Sequence, residues 1–418
     1  MKILWLSNNP CYAIKKLSPN TQSGGWLKAL NYHLVNEDHI ELSVCFYWPE
    51  PIEPFEFHNT KYYPITTPKH KSIWKKVRNK VSGNTNDNNA SIKKINEIVK
   101  HVNPDLIHVH GTELNFGLIQ YKTSIPILIS IQGILSPYYE KYFSGIPEKY
   151  LKQIKKPGFM SFFKALNSAF RINAERERHI LKVAKHIMGR TDWDKRITRL
   201  LAPESDYFVG NEILRDAFFK ENYVWNKTSF DTPLKLITTS GDVAYKGFEL
   251  IVKTAKILYD YGIEIEWYVV GLNETNVIPR AVKNWLDYNP KAIGIKFLGM
   301  MNENELVNKL QTCDIYCQVS HIENSPNSLC EAMMLGMPLV ATNVGGTSSM
   351  MKTNVEGILV QEGEPYEYAG AIIELRDDFK KAKSYGENAR KRAMHRHGPT
   401  KVVNEITGAY KAILKKNN

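Results

Sequence analysis

Glu323 and Glu331 stand eight positions apart in the stretch His321-Ile322-Glu323-Asn324-Ser325-Pro326-Asn327-Ser328-Leu329-Cys330-Glu331-Ala332-Met333-Met334-Leu335-Gly336-Met337-Pro338. Ser325 reads as an N-cap and Pro326 as the first helical residue, where a missing N–H costs nothing. Gly336 reads as the helix stop, with Pro338 just beyond it. Glu323 is then expected in the loop ahead of a short helix, and Glu331 more than a turn inside it. A helix start offers free N–H groups and partial positive charge to a phosphate. Carboxylates around it suit sugar hydroxyls, so the stretch predicts a nucleotide-sugar pocket. The plainer alternative is a pair of carboxylates placed only to complement a helix dipole.

Three other places carry residue types that fit such a ligand. Gly24-Gly25 follows the polar loop Ser18 to Ser23 and precedes a helical pattern over Trp26–Val35. Glycine lets backbone N–H groups come close to a diphosphate, although an ordinary strand–helix turn would look the same. His110 ends a strand-like run and is expected to point into a ligand cleft. His108, on the same strand face but deeper, reads as structural. Lys246 follows the run Leu234–Thr239 and the loop Ser240 to Tyr245, where an ammonium can neutralise a diphosphate. The glycines do not form G-x-G-x-x-G. Cys45-Phe46-Tyr47 stands where an acidic ribose ligand would end the second strand, which argues against a nicotinamide-dependent dehydrogenase. Paired carboxylates also serve glycoside hydrolysis, but beside a phosphate-ready helix start they favour transfer from an activated donor.

The 418-residue chain carries 55 basic and 43 acidic residues, a net charge of +12. That excess favours an acidic partner. Between Lys61 and Lys80 there are seven Lys/Arg and no Asp/Glu. There Ile73, Trp74, Val77 and Val81 recur at helical spacing among basic residues. The pattern fits a surface helix with one buried stripe, or a basic amphipathic helix on an anionic membrane surface. No nucleic-acid-binding motif accompanies the charge. The apolar run at Met1 to Ser7 is short for a signal peptide and reads as a first buried strand. No apolar run reaches the length of a membrane span. The five cysteines show no metal-ligand spacing, and Cys313 and Cys317 read as buried thiols. A reducing cytoplasm is the expected compartment.

The length argues for two domains. Apolar runs alternate with amphipathic segments, the signature of a parallel α/β architecture. The first series predicts strands at Ile3–Leu6, Glu41–Phe46, Leu106–His110, Ile127–Ile131, His186–Met188 and Tyr207–Val209. The second predicts Leu234–Thr239, Glu264–Val270, Ile295–Leu298, Ile315–Gln318, Leu339–Ala341 and Ile358–Val360. A polar patch, Ser82 to Asn89, reads as a mobile loop before a helix over Ile92–His101. Tyr138 to Phe170 mixes aromatic and basic residues, and fits either an acceptor-side or membrane-facing flap or a buried helical pair. Periodicity fades from Asn211 to Pro233, where an inter-domain linker is expected. Helices are expected from about Pro365 to the C-terminus, interrupted at Gly398-Pro399. The expected division is 1–212 with 399–418 packing back onto it, and 213–398.

Taken together, these landmarks resemble the family 4 retaining glycosyltransferases of the GT-B fold. Glu323 to Glu331 matches that family's E-x7-E signature, followed by Leu339-Val340-Ala341-Thr342-Asn343-Val344-Gly345-Gly346. Gly24-Gly25 matches its first glycine loop, Asp105-Leu106-Ile107-His108-Val109-His110 its Asp-x-x-His-x-His strand end, and Lys246-Gly247 its Lys-Gly. The resemblance implies two Rossmann-like domains facing a central cleft. It implies transfer, with retention and no metal, of a hexosyl group from a UDP- or GDP-linked sugar to an acceptor hydroxyl, and no cofactor. Glu323, His110 and Lys246 would then be catalytic. Gly24, Gly25, Ser240, Gly241, Ser325 and Pro326 would line the donor site. The N–H groups of Asn327, Ser328 and Leu329 would face the diphosphate, and Glu331 would hold the ribose. The family often has an Arg where Gly241 stands. Backbone N–H groups at Ser240 and Gly241, or Arg190 or Lys195, are candidates to compensate. The acceptor would be a glycan or a lipid-linked oligosaccharide in cell-surface polysaccharide or glycolipid synthesis. The enzyme would be cytoplasmic or peripheral at the inner face of the cell membrane. The rival readings are a GT-B epimerase or phosphorylase, and a non-catalytic sugar-nucleotide-binding protein.

Overall fold

A computed structural model describes residues 1–18, 25–66, 85–152, 159–220 and 222–417. They form two compact units. Met1–Tyr139, Ser161–Ile213 and His397–Asn418 make the first, and Glu140–Met160 with Leu214–Arg396 make the second.

The first unit is built on an eight-stranded sheet. In chain order its strands are β1 (Lys2–Ser7), β2 (Glu41–Trp48), β3 (Phe55–Phe57), β4 (Thr60–Thr66), β5 (Leu106–His110), β6 (Ile127–Ser130), β7 (His186–Gly189) and β8 (Asp206–Val209). Their spatial order is β3-β4-β2-β1-β5-β6-β7-β8. Among the described residues only the β3–β4 pair is antiparallel. The central strands are buried on both faces, which is why they read as unbroken apolar runs rather than as alternation. Trp5, Leu6, Ile107 and Val109 are all fully buried there. The register sets His110 beside Ser7 and Ser130.

Two strands, β3 and β4, were not expected from the sequence. Pro51, Pro54 and Pro64 hide them. Pro64 is tolerated because β3 pairs only with Thr60 to Tyr62, which leaves the outer side of β4 unpaired at Pro64. The polar patch also differs from expectation: Thr85–Asn89 opens the helix Thr85–Val102. Its apolar stripe, Ile92, Ile95 and Val99, is buried and holds the helix on the sheet. Ser82 to Asn84, and Lys69 to Val81 of the basic segment, lie outside the described residues, as does Gly24.

The second unit has a six-stranded parallel sheet in the order β11-β10-β9-β12-β13-β14. Its strands are β9 (Leu234–Thr239), β10 (Ile265–Val270), β11 (Ile295–Gly299), β12 (Ile315–Gln318), β13 (Leu339–Thr342) and β14 (Ile358–Val360). The stretch with fading periodicity is not a free linker beyond Ile213. Phe218 and Trp225 are buried in this unit's core. The Trp225 indole N–H donates to the Cys313 carbonyl at 2.8 Å. Single anchors of this kind on irregular chain leave no period to read. The segment Glu140–Met160 also belongs here, with Tyr150 stacked on Trp285 at 6.1 Å between centroids. All five cysteines are buried free thiols.

The last helix, Pro399–Asn417, is part of the first unit. Its Tyr410 reaches the middle of the sheet. The Trp5 indole donates to the Tyr410 hydroxyl at 3.0 Å. That hydroxyl has one hydrogen, which it gives to His108 Nδ1 at 2.6 Å. His108 Nε2 therefore carries the ring proton and donates to Ser130 Oγ at 2.6 Å. Burial, with a smaller push from Arg190, lowers the His108 pKa to about 3, so the ring stays neutral. Asn211 adds a second tie, donating from its backbone N–H at 3.0 Å and its side-chain amide at 3.1 Å to Glu405. Tyr410→Phe keeps the ring but strands a buried donor on Trp5 and a buried acceptor on His108. The expected loss is about 2–4 kcal/mol, read from the midpoint of urea unfolding followed by Trp fluorescence. An unchanged midpoint would show that the network contributes nothing.

Candidate active site

Lys246 and Glu323 meet at the carboxyl ends of β9 and β12. The chain leaves β9 through Ser240-Gly241, forms a tight turn at Ala244–Lys246, and enters the helix Phe248–Asp260 through Gly247. Gly247 has φ 71°, and a Cβ on it would stand 1.9 Å from the Val319 carbonyl oxygen. Only glycine lets this turn lie so close to the end of β12. Gly345 plays the same part after β13: a Cβ there would lie 1.8 Å from the Glu323 carbonyl oxygen. The neighbouring Gly346 N–H donates to that oxygen at 2.9 Å.

These approaches place Lys246 Nζ 2.5 Å from Glu323 Oε1. Ser320 Oγ donates to the same oxygen at 2.8 Å. The Ser320 carbonyl is held in turn by the Thr342 hydroxyl at 2.6 Å. Glu323 is 7% exposed. Burial alone would lower the Lys246 pKa, but Glu323 and Tyr245 outweigh it and hold the ammonium above its ordinary value. The arrangement is a half-buried cation and a buried carboxylate at the mouth of a parallel sheet, where ligands of open α/β sheets bind.

The helix after Glu323 starts one residue later than its sequence suggests. It spans Asn327–Leu335, its N-cap is Pro326, and no side chain caps it. Ser325 Oγ is 3.6 Å from Met350 Sδ instead. Two expectations change as a result. Ser325 is not the cap, and the Leu329 N–H is already spent on the Pro326 carbonyl at 3.0 Å. Asn327 and Ser328 are left to present the helix start, with no acidic residue in the first turn. Gly336 ends the helix at φ 80°, as expected.

Glu331 lies inside that helix, 4% exposed. Arg215 grips it with Nε on Oε1 and Nη2 on Oε2, both at 2.6 Å. Burial pushes the Glu331 carboxyl up and Arg215 pulls the other way, with burial the stronger. Arg215 lies within the poorly periodic stretch from Asn211 to Pro233, and nothing in the sequence singles it out. Ser240 Oγ is buried with no hydrogen-bond partner among the described residues. A Cβ on Gly241 would meet nothing within 4 Å.

The remaining expected residues lie in the first unit. Gly25 opens the helix Gly25–Leu34 at φ 47°. His110 exposes none of its surface. Its ring lies 3.9 Å from His108, 4.4 Å from Trp5 and 5.8 Å from Trp26 between centroids. Neither ring nitrogen has a partner among the described residues. Burial, His108 and Arg190 keep the ring neutral. A ligand can reach His110 only if a neighbouring side chain moves. Arg190 is paired with Glu212 at 2.9 Å and lies over Trp26 at 4.4 Å. Lys195 lies over the Tyr207 ring at 5.6 Å.

With this geometry in view, the candidate site falls in a segment that matches a known family. The profile of glycosyl transferases group 1 matches residues 219–392. That segment is similar to a group 1 glycosyltransferase domain. It holds Lys246, Glu323 and Glu331. The chain is similar to the capsular polysaccharide biosynthesis glycosyltransferase CapM of Staphylococcus aureus, with 25% identity over 41% of this chain and 44% of CapM. The chain thus spans under half of that relative's length. It is 23% identical to the N-acetyl-alpha-D-glucosaminyl L-malate synthase of Bacillus anthracis over 78% of this chain and 79% of that enzyme. Among solved structures it resembles sucrose-phosphate synthase from Thermosynechococcus elongatus, at TM-score 0.73, 12% identity and full coverage of both chains. That likeness gives the chain the GT-B fold. No helix among the described residues is long and apolar enough to cross a membrane.

Truncating Arg215 tests the grip on Glu331. Arg215→Ala leaves a buried carboxylate unpaired and should cost about 2–4 kcal/mol, read as a lower denaturation midpoint. Arg215→Lys should recover only part of it, because an ammonium cannot make the two-pronged contact. Full recovery by Lys would mean that charge alone matters.

Proposed function

We propose that the protein is a retaining glycosyltransferase that moves a sugar from a nucleoside diphosphate sugar, UDP- or GDP-linked, to an acceptor hydroxyl. The observation that carries this reading is the Lys246–Glu323 pair, 2.5 Å apart, beside a helix start with no side-chain cap. Lys246 binds the donor diphosphate and stabilises the negative charge that grows on it as the sugar departs. Glu323 accepts hydrogen bonds from donor-sugar hydroxyls and faces the positive charge developing at the anomeric carbon. The Asn327 and Ser328 N–H groups bind the diphosphate. Glu331, still holding Arg215, uses its remaining lone pairs on the ribose hydroxyls. Ser240 and Gly241 complete the diphosphate site within this unit.

In the step itself, the bond between the anomeric carbon and the diphosphate oxygen breaks and its electrons stay on the nucleoside diphosphate. The acceptor oxygen bonds to the same carbon on the same face. The acceptor proton passes to the departing phosphate. No metal ion and no cofactor is assigned a part.

The likeness to a capsular polysaccharide enzyme supports a glycan or lipid-linked acceptor in cell-surface polysaccharide or glycolipid synthesis. The basic stretch from Lys61 to Lys80 supports peripheral attachment to an anionic membrane surface at the cytoplasmic face.

Two experiments bear on the donor site. Lys246→Ala and Glu323→Ala should each lower transfer about 10²-fold or more, about 2.7 kcal/mol of transition-state stabilisation, in a radiolabelled-donor assay. Near-parental transfer by both would remove the assignment. Gly241→Arg adds a guanidinium where space is open and the backbone needs no glycine. It should tighten binding of the nucleoside diphosphate about 10-fold, near 1.4 kcal/mol, by calorimetry. Unchanged affinity would place the diphosphate elsewhere.

A further inference from the structure

His321 is a buried imidazole between two carboxylates. Its side chain is 5% exposed and that of Glu249 2%. His321 Nε2 lies 2.6 Å from Glu249 Oε1, and Nδ1 lies 2.9 Å from Glu362 Oε1. Carboxylates only accept, so both ring nitrogens must donate, and a ring with two N–H groups is an imidazolium. Lys141 completes the group, with Nζ 3.0 Å from Glu362 Oε2. Two cations and two anions then balance.

The group lies directly behind the candidate site. The His321 backbone N–H donates to the Tyr245 carbonyl at 2.7 Å, one residue before Lys246. Ser320, the preceding residue, holds Glu323. Glu249 is in the first turn of the helix that Gly247 opens. From the other side, Gly145 lies against the pair at φ 88°. A Cβ on it would be 2.3 Å from both Glu249 Oε1 and His321 Nε2. The charged or titratable groups facing the ring are thus Glu249 from the helix, Glu362 from beyond β14, and Lys141 through Glu362.

We propose that His321 is a positioning residue. Clamped as an imidazolium between Glu249 and Glu362, it holds the loop Ser320–Asn324 on the Lys246 turn and so sets the Lys246–Glu323 pair. The proposal rests on the donor-site reading for its functional consequence, but not for the clamp itself. Burial opposes the charge on His321, yet the hydrogen bonds and charge of Glu249, then those of Glu362, outweigh it and raise its pKa above the ordinary histidine value. The sign follows from linkage. A histidine raised in the folded state contributes fully below its unfolded pKa, and the contribution is lost as pH rises through the folded value. Deprotonation removes the ring's N–H from Glu249 or from Glu362, so the loop loosens on the alkaline side.

The test uses the full chain labelled with 15N-histidine, with His321→Gln assigning the signal. Both His321 ring nitrogens should be protonated at pH 7. Binding of UDP and of GDP is then measured by calorimetry from pH 6 to pH 9. The parent should lose about 10-fold in affinity for the nucleotide it binds. Folded H321Q, which reports the nucleotide's own titration, should be about 10-fold weaker at pH 6 and lose less with pH. Should H321Q not fold, Glu362→Gln, on the more exposed partner, should shift the ring's titration toward the ordinary value and bring forward the alkaline loss. A ring neutral at pH 7, or a folded H321Q that matches the parent at every pH, overturns the proposal. If the parent binds neither nucleotide, the donor reading fails, and the ring signal still decides the clamp.

Discussion

Two backbone approaches closer than any side chain permits underlie the candidate site. Gly247 lets the Lys246 turn lie on the end of β12, and Gly345 lets the loop after β13 lie on Glu323. Each excludes a Cβ by more than an ångström, so neither is a preference that packing elsewhere could offset. Both sit at the carboxyl ends of parallel strands, where helices begin and where backbone polar groups are left over. The Lys246–Glu323 contact follows from the two approaches rather than causing them. Hydrogen bonds from Ser320, Thr342 and Gly346 then fix the loop that the glycines allowed to come near.

The same loop shows how this unit handles buried charge. Glu323 has Lys246, Glu331 has Arg215, and Glu249 has His321. Removing one member of such a pair costs more than the pair contributes, because the survivor is left without solvent or partner. These contacts are therefore better understood as fixing geometry than as adding stability. Arg215 shows this most clearly: its planar fork meets both oxygens of Glu331 and leaves that carboxylate one orientation.

Most strands were legible because buried parallel strands are continuous apolar runs bounded by polar turns, as at Leu106–His110 and Ile315–Gln318. β3 and β4 escaped because proline masks strand character at a sheet edge. The helix Thr85–Val102 was read short, since polar residues in its first turns outweigh a stripe that begins only at Ile92. In the site, Lys246, Glu323, Glu331 and the flanking glycines were visible through motif spacing. Arg215, His321 and Glu249 were not, for a physical reason. Each acts through a partner distant in sequence, 116 positions for Arg215 and Glu331 and 72 for His321 and Glu249. No local pattern encodes such a pair. Ser325 was misread because an N-cap is inferred from residue type, whereas the chain places the Pro326 carbonyl at the helix start and turns Ser325 toward Met350.

The helix start bears on how an anion would be held here. A start at Ser325 would have offered the Asn327 and Ser328 N–H groups, with Leu329 bonded to the Ser325 carbonyl. The observed start offers the same two, because the Leu329 N–H closes the first turn on Pro326. Gly241 supplies no cation. On the proposed reading, the diphosphate therefore meets one ammonium and two helix-start N–H groups, and a larger share of its charge falls to Lys246. The same ammonium lies on Glu323, so on this reading the donor must compete for it or share it. Sharing suits the chemistry better. A lysine bonded at once to the carboxylate and the phosphate would tie the acceptor of sugar hydroxyls to the leaving group, across the bond that has to break.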